Sequence, residues 1–402
     1  MRAEELQVMA PDQGRHGEAI YDLTAKVFPE FGYYETRQTS REVYFGNSHY
    51  DWQVSRIGLL GDRVVTHYGV WDYQMRIGTA RVRAGGIGAV ATDGDHRQRG
   101  LMNRTAQAAL AAMRAAGYEM SLLFGLDGFY DRYGYVRAWS DFSFLIRAGD
   151  LPRERPAAPA RRFRPALRRA DLIALYNTHH ATATGTAVRP TYRRMYPWTQ
   201  GTEGYGWSEG GRLAGYVLLN RDGSRLKCLE CCGDTEQALR VLGLVAPKWH
   251  CDQVQFETIP YMSELAKRLR RGNCRIETRY RRCGGAMVRM LNLPSALGKM
   301  SEELSRRLAS SPLASWRGDL LIADSREQAM LRVGKGKVRV IAPGETQHAL
   351  RGGDEVGQLL LGTDAPGEVI EAGRMKLSGE AGRLAEVLFP AQWPQLSQLD
   401  RY

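Results

Sequence analysis

Residues 95–105 read DHRQRGLMNRT, and the reading of this stretch decides the fold. In front of it lies GGIGAVATD (85–93), an apolar, glycine-rich segment suited to a strand. Behind it runs AQAALAAMRAAGY (106–118), alanine-rich and helically spaced. A strand, a short turn with three basic residues and one glycine, and then a helix together form an anion site. The first amides of a helix have no intrahelical acceptor, and the helix dipole puts positive potential at the same point. Gly100 lets the backbone approach a phosphate closely, and Arg97 and Arg99 add charge-assisted contacts. The pattern is neither a Walker loop nor a dinucleotide fingerprint, because it lacks both GK[ST] and GxGxxG. A phosphate held without a motif for magnesium suggests a ligand that is bound rather than hydrolysed, and the pyrophosphate of coenzyme A fits that description.

Residues 52–93 alternate like antiparallel strands, divided by turns at Gly61-Asp62 and Gly78-Thr79. The helix 101–116 ends at Gly117 as a C-cap, and EMSLLFG (119–125) is the next strand. The Pro-, Ala- and Arg-rich stretch 149–170 marks a boundary. The expected division is therefore 1–150, 151–290 and 291–402. The middle block repeats the element order of the first: a hairpin in EGYGWSEGGRLAGYVLLNR, a strand in RLKCLECCGD, a helix in TEQALRVLGLVAPKW, and a strand in DQVQFETIP. Its Cys232-Gly233-Asp234-Thr235 turn offers an ordinary N-cap in place of a phosphate loop. The third block opens with an amphipathic helix in MSEELSRRLASSPL. Short strands around a Gly-Lys-Gly turn and two further helices follow, making an α+β unit.

Composition narrows the class. The chain has 402 residues, enough for two or three domains, with 43% hydrophobic and 25% charged residues, as in globular proteins. No apolar run approaches the ~20 residues of a membrane span. The first twenty residues contain no apolar signal core, so a cytoplasmic protein is expected. The net charge of +12 raises nucleic acid as a partner. The basic stretches at 161–169 and 267–282 belong to no nucleic-acid module, however, and solvated faces account for them more simply. Cys228, Cys231, Cys232 and Cys251, with His250, can be drawn as a zinc site, but the spacing fits no finger or ribbon. Buried free thiols are the expectation for these and for Cys274 and Cys283, and no metal is expected.

AVATDGDHRQRGLMNRT (89–105) followed by FYDRYGY (129–135) resembles the GNAT acyltransferases, and in particular their enhanced intracellular survival (Eis) branch. Met102 departs from the small residue that closes the usual [RQ]xxGx[GA] loop. The resemblance covers the whole chain. It implies tandem α/β GNAT folds, the first active and the second degenerate, followed by a sterol-carrier-protein-like α+β domain. It further implies acetyl-CoA as co-substrate and N-acetyl transfer to a primary amine on a small molecule or a lysine side chain. In such a site the backbone of Val90 and Thr92 would pair with pantetheine, and Arg97, Gln98, Arg99, Gly100, Leu101 and Met102 would cradle the pyrophosphate. Gly125 and Leu126 would line the thioester. Tyr130, from Tyr130-Asp131-Arg132-Tyr133-Gly134-Tyr135, would be the acid at sulfur, and the terminal carboxylate of Tyr402 the base. Tyr133 and Tyr135 read better as packing aromatics. Family members acetylate aminoglycosides and lysine-like amines. Asp22, Glu30, Glu35 and Asp127 are the carboxylates available to attract such polycations. The same resemblance implies a homo-oligomer built from trimers. The competing class is a binding protein in which the third block carries a lipid or apolar ligand and coenzyme A only regulates.

Overall fold

The computed structural model describes residues 5–29, 32–46, 48–164, 170–189 and 201–401. Its first part contains β1 (Gln7–Met9), α1 (Gln13–Val27), α2 (Tyr33–Thr39), β2 (Arg56–Leu60), β3 (Arg63–Ile77), β4 (Ala80–Thr92), α3 (Leu101–Ala115), β5 (Met120–Leu126) and β6 (Val136–Arg137). The second part contains β7 (Asp141–Arg147), β8 (Arg161–Phe163), α4 (Ala170–His179), β9 (Glu203–Glu209), β10 (Arg212–Asp222), β11 (Arg225–Cys232), α5 (Thr235–Lys248), β12 (Gln253–Phe256), α6 (Glu264–Arg270), β13 (Cys274–Arg279) and β14 (Cys283–Met290). The third contains α7 (Leu293–Ala309), β15 (Gly318–Ala323), β16 (Gln328–Gly334), β17 (Lys337–Ile341), β18 (His348–Arg351), α8 (Val356–Leu361), α9 (Pro366–Ala372), β19 (Lys376–Ser378) and α10 (Ala381–Leu388). The fold is mixed α/β, with three sheets among the described residues.

The turns read from the sequence join β2 to β3 and β3 to β4, and Gly78 takes the left-handed conformation at φ 57°. The α3 helix buries Thr105, Ala106, Ala109, Leu110 and Met113, spaced along one face. Met113 lies over Gly85, where a Cβ would come within 2.1 Å of its terminal methyl. Gly117, at φ 80°, follows the end of the helix as its left-handed cap.

The first sheet runs β1-β2-β3-β4-β5-β14-β6 and the second β13-β7-β12-β11-β10-β9-β8. In each, a parallel pair around one helix (β4 and β5 with α3, β11 and β12 with α5) is flanked by an antiparallel strand. That flanking strand comes from the other unit. The β7 strand precedes residue 150 yet pairs with β12 and β13, while β14 precedes 290 yet pairs with β5 over Cys283↔Leu126 to Met290↔Met120. The divisions at 150 and 290 therefore follow the chain, whereas the sheets exchange a strand across them. The Pro-rich stretch marks where the backbone crosses the surface and carries no information on which edge a strand completes.

On the face of the first sheet opposite α3 lies α7. Its Leu297, Met300 and Leu304 join Met75, Val82 and Leu122 of the first sheet and Leu320 and Leu331 of the third in one core. The tail beyond α10 returns to the first two units. Asp400 is buried and accepts from Arg189 (2.7 and 2.9 Å) and from the Tyr176 hydroxyl (3.1 Å). Its carbonyl accepts from Tyr73 of β3 at 2.6 Å. Arg189 also donates to Glu230 of β11, at 3.0 and 2.6 Å, so one guanidinium ties the tail to the second sheet.

Candidate active site

The parallel register of β4 and β5 begins at Ala84↔Met120 and ends at Ile87↔Leu123. Beyond it both strands continue, β4 to Thr92 and β5 to Leu126, without pairing to each other. A wedge opens between them. One cause is a bulge in the β3–β4 ladder between His67 and Gly69, with Ala89 at φ 47°. His67 fixes the bulge. The carbonyl of Ala89 can only accept, so Nδ1 of His67 donates to it (2.7 Å) and Nε2 accepts from the Tyr50 hydroxyl (2.7 Å). Burial, offset in part by that backbone hydrogen bond, lowers the His67 pKa to about 4 and keeps the ring neutral. Val90 and Thr92 lie in the unpaired end of β4, on the wedge.

Asp93 closes the strand. Its carboxylate accepts from Arg63 (2.8 Å), from His96 Nδ1 (2.8 Å) and from the amide of Asp95 (3.2 Å). Burial alone would raise its pKa, but the bonds from His96 and Arg63 outweigh it and hold the carboxyl below the usual range. From this anchor the chain passes through exposed Arg97, Gln98, Arg99 and Gly100 into α3. Gln98 (φ 61°) and Gly100 (φ 72°) are both left-handed. Such a sequence of conformations turns successive amides to one side as an anion-binding nest. Gly100 is the N-cap of α3 and brings no side-chain cap. Arg97 donates weakly back to the Thr92 carbonyl at 3.4 Å. A Cβ at Gly100 would meet nothing within 4 Å, so the space over the nest is open. The wedge and the nest thus fit an extended pantetheine ending in a pyrophosphate.

At the other end of the wedge, Gly125 is buried, Leu126 is 51% exposed, and the Tyr130 ring lies across Gly125. A Cβ there would come within 2.5 Å of the ring, so only glycine admits Tyr130 in this position. Phe129, Tyr133 and Tyr135 surround Tyr130. Burial first, and the neighbouring phenols second, raise its pKa, so it is protonated at neutral pH. The other two tyrosines of the motif have fixed partners: Tyr133 donates to Asn103 (2.6 Å), and Tyr135 is bonded to Ser121 (2.6 Å) and Tyr68 (3.1 Å).

A cavity of about 280 Å³ adjoins Gly125, with Trp139, Ala286 and Met287 on its apolar side and Asp127 and several arginines around it. Gly285, Ala286 and Met287 belong to β14, so the exchanged strand builds part of this wall, which the sequence reading did not anticipate. The alternation in CGGAMVRM marks a strand but not its partner. Of the carboxylates weighed for an acceptor, only Asp127 lines this cavity. Asp22 is engaged by Lys26 and Tyr33, and Glu35 is exposed on α2. Glu30 and Tyr402 lie outside the described residues. Arg401, next to Tyr402, places its guanidinium 4.3 Å over the Phe124 ring of β5.

The second unit differs at the equivalent place. Asp234 caps α5 by accepting from the amide of Gln237 at 2.7 Å, as the Cys-Gly-Asp-Thr turn predicts. Cys228, Cys231 and Cys251 pack in the core of this unit, and Cys232 in the smaller cluster on its other face. Among the described residues no three His, Cys, Asp or Glu side chains gather to hold a metal ion, and no helix is long and apolar enough to cross a membrane.

Comparison with known proteins agrees with this geometry. Residues 15–138 match the acetyltransferase (GNAT) domain family. No curated protein sequence matches the chain. Among solved structures, a GCN5-related N-acetyltransferase from Anabaena variabilis superposes with TM-score 0.79 at 15% identity, covering 99% of this chain and 100% of that one. One from Kribbella flavida gives 0.72 at 19%, covering 100% and 99%. Eis1 from Mycobacterium abscessus gives 0.70 at 15%, covering 99% and 100%. At these identities the neighbours establish a shared fold along the whole chain, consistent with tandem GNAT units. The domain match marks residues 15–138 as an acyltransferase domain.

Proposed function

We propose that the protein transfers the acetyl group of acetyl-CoA directly to a primary amine of a small acceptor, in a ternary complex within the first unit. The observation that carries this reading is the open β4–β5 wedge, which joins the uncapped start of α3 to Tyr130 across Gly125. The backbone of Val90 and Thr92 is the partner for the pantetheine amides. The amides from Arg97 to Met102, with the guanidinium groups of Arg97 and Arg99, hold the pyrophosphate. The thioester would lie by Gly125 and Leu126.

The acceptor loses one ammonium proton, and its nitrogen lone pair attacks the thioester carbon. The C–N bond forms, the C–S bond breaks, and the departing thiolate takes the Tyr130 proton, while the second proton left on the acylated nitrogen is lost through solvent and one is returned to the Tyr130 phenolate. The base is assigned to Tyr402 by resemblance, and the position of Arg401 over Phe124 supports a role for that end of the tail. The third unit, a five-stranded sheet with helices, is read as sterol-carrier-like on the same ground.

Thiol release from acetyl-CoA in the presence of a panel of primary amines tests the activity, and Tyr130→Phe tests the acid. The ring stays over Gly125 in the variant and only the proton is lost. A fall in kcat of roughly 10²-fold or more is expected, with acetyl-CoA affinity unchanged. A Phe variant as fast as the wild type would assign the proton to another donor.

A further inference from the structure

The cavity beside Gly125 carries charges of both signs on two adjacent segments of the chain. Asp127 and Asp131 come from the segment that follows β5, while Arg279 ends β13, Arg281 and Arg282 lie in the crossing from β13 to β14, and Arg137 ends β6. The two segments are joined at their backbones, since the amide of Asp127 donates to the carbonyl of Arg282 at 2.8 Å. Several of these charges are matched internally. Arg281 pairs with Asp141, which Arg401 also approaches at 3.7 Å, and Arg137 pairs with Asp364. The Asp131 carboxylate accepts from the amide of Gly128 at 3.1 Å, and Arg279 touches Glu277 at 3.4 Å. The side chains of Asp127 and Arg282 have no partner among the described residues. A carboxylate and a guanidinium on the wall of the cavity are thus left to face a ligand.

We propose that the acceptor is a zwitterion, a primary amine whose molecule also carries a carboxylate or phosphate. Its ammonium would approach Asp127 and Asp131, next to Gly125, and its anion would approach Arg282 and Arg279. This rests on the reading of the first unit as an amine acetyltransferase and adds the class of amine. Planar guanidinium groups suit both anions, because either can take two parallel N–H···O bonds. Alkyl ammonium groups are charged at neutral pH and need a carboxylate to receive them. A polycation, by contrast, would meet four arginines against three aspartates on these walls. The field of a chain with net charge +12 would slow its approach further. Trp139 and Met287 add apolar surface to the same wall, suited to the short alkyl part of such a molecule.

The test compares kcat/KM for 4-aminobutyrate, 2-aminoethyl phosphate, butylamine and spermidine in the full-length protein, with acetyl-CoA affinity measured alongside. The two zwitterions are expected to exceed butylamine and spermidine by about 10-fold or more, the scale of hydrogen bonds to charged groups. The carboxylate and phosphate arms identify which anion is preferred. The exposed pair Arg279→Glu and Arg282→Glu should lower kcat/KM for the zwitterions by roughly 10- to 100-fold and raise it for spermidine, at unchanged acetyl-CoA affinity. Spermidine or butylamine as the best substrate, or a preference that survives the double reversal, would overturn the proposal while leaving amine acetylation intact. Acetyl-CoA binding with no transfer to any of the four amines would instead overturn the proposed activity and this inference together.

Discussion

The site depends on residues whose chemistry lies in their neighbours. His67 has no place in the transfer reaction, yet it holds the Ala89 carbonyl and so the bulge that opens the wedge. Its pKa falls from the usual 6.5 to about 4 because its surroundings exclude water. The unfolded chain therefore binds a proton between these values that the folded chain refuses. Stability from this residue is fully present above about pH 6.5 and is lost as the pH drops toward 4, at up to ~1.4 kcal/mol per pH unit. Other buried groups titrate too, His180 among them, so the test is a difference. Urea unfolding of His67→Gln and the wild type across pH 4–7 should give a visibly shallower acid slope for the variant. Parallel profiles would remove His67 from the acid response. None of this was legible in the sequence, where a lone histidine in VVTHYGV looks like any strand residue. Tyr130 stood out in the sequence because a glycine and three tyrosines sit within six residues, and its role as the acid was given there by resemblance alone.

At the scale of elements, the strand–turn–helix around residue 100 was read correctly because all its determinants are local. Alternation gives β4, Gly100 gives the left-handed cap, and the alanine-rich face gives α3. The α1 helix escaped notice for an equally local reason: its buried face includes His16, Gly17 and Thr24, which blur the apolar period. The importance of the cap can be separated from its strain. Gly100→Ala adds a Cβ in a left-handed conformation, costing roughly 1–2 kcal/mol of stability, but meets no atom within 4 Å. Gly100→Glu carries the same backbone strain and adds a carboxylate to the mouth of the nest. Isothermal titration with coenzyme A should therefore find weakening of about 10²-fold or more for the Glu variant and a much smaller loss for Ala. Equal losses in both would make backbone strain the whole effect and remove the pyrophosphate from this turn.

Across the whole molecule, the strand exchange makes the first two units one cooperative object. Pairing of β14 with β5, more than 150 residues apart in the chain, is invisible to any reading of composition or period, which is why the walls at Gly285–Met287 were missed. Without β14, β5 would present an unpaired edge beside the reacting end, and without β7, β12 and β13 would each lose the strand that joins them. The tail adds a second tie, since Arg189 joins Asp400 to Glu230 and Tyr73 joins Asp400 to β3. These contacts bury several charges with their partners, and removing one partner would leave an uncompensated ion. The covalent link between the units, in contrast, is slight. Residues 153–155 in the Pro-rich crossing are exposed, and the Arg153–Glu154 bond is a site for trypsin, whereas Arg155 is protected by the following Pro156. Limited cleavage after Arg153 is expected to leave the halves bound through β7 and β14, so they should elute together in size exclusion and retain acetyl-CoA binding. Residues 1–150 produced alone should fail to bind acetyl-CoA, because they contain the nest but not the strand that completes β5. Halves that separate without denaturant, or a first segment that binds as well as the full chain, would mean that the exchanged strands are not what holds the site in shape.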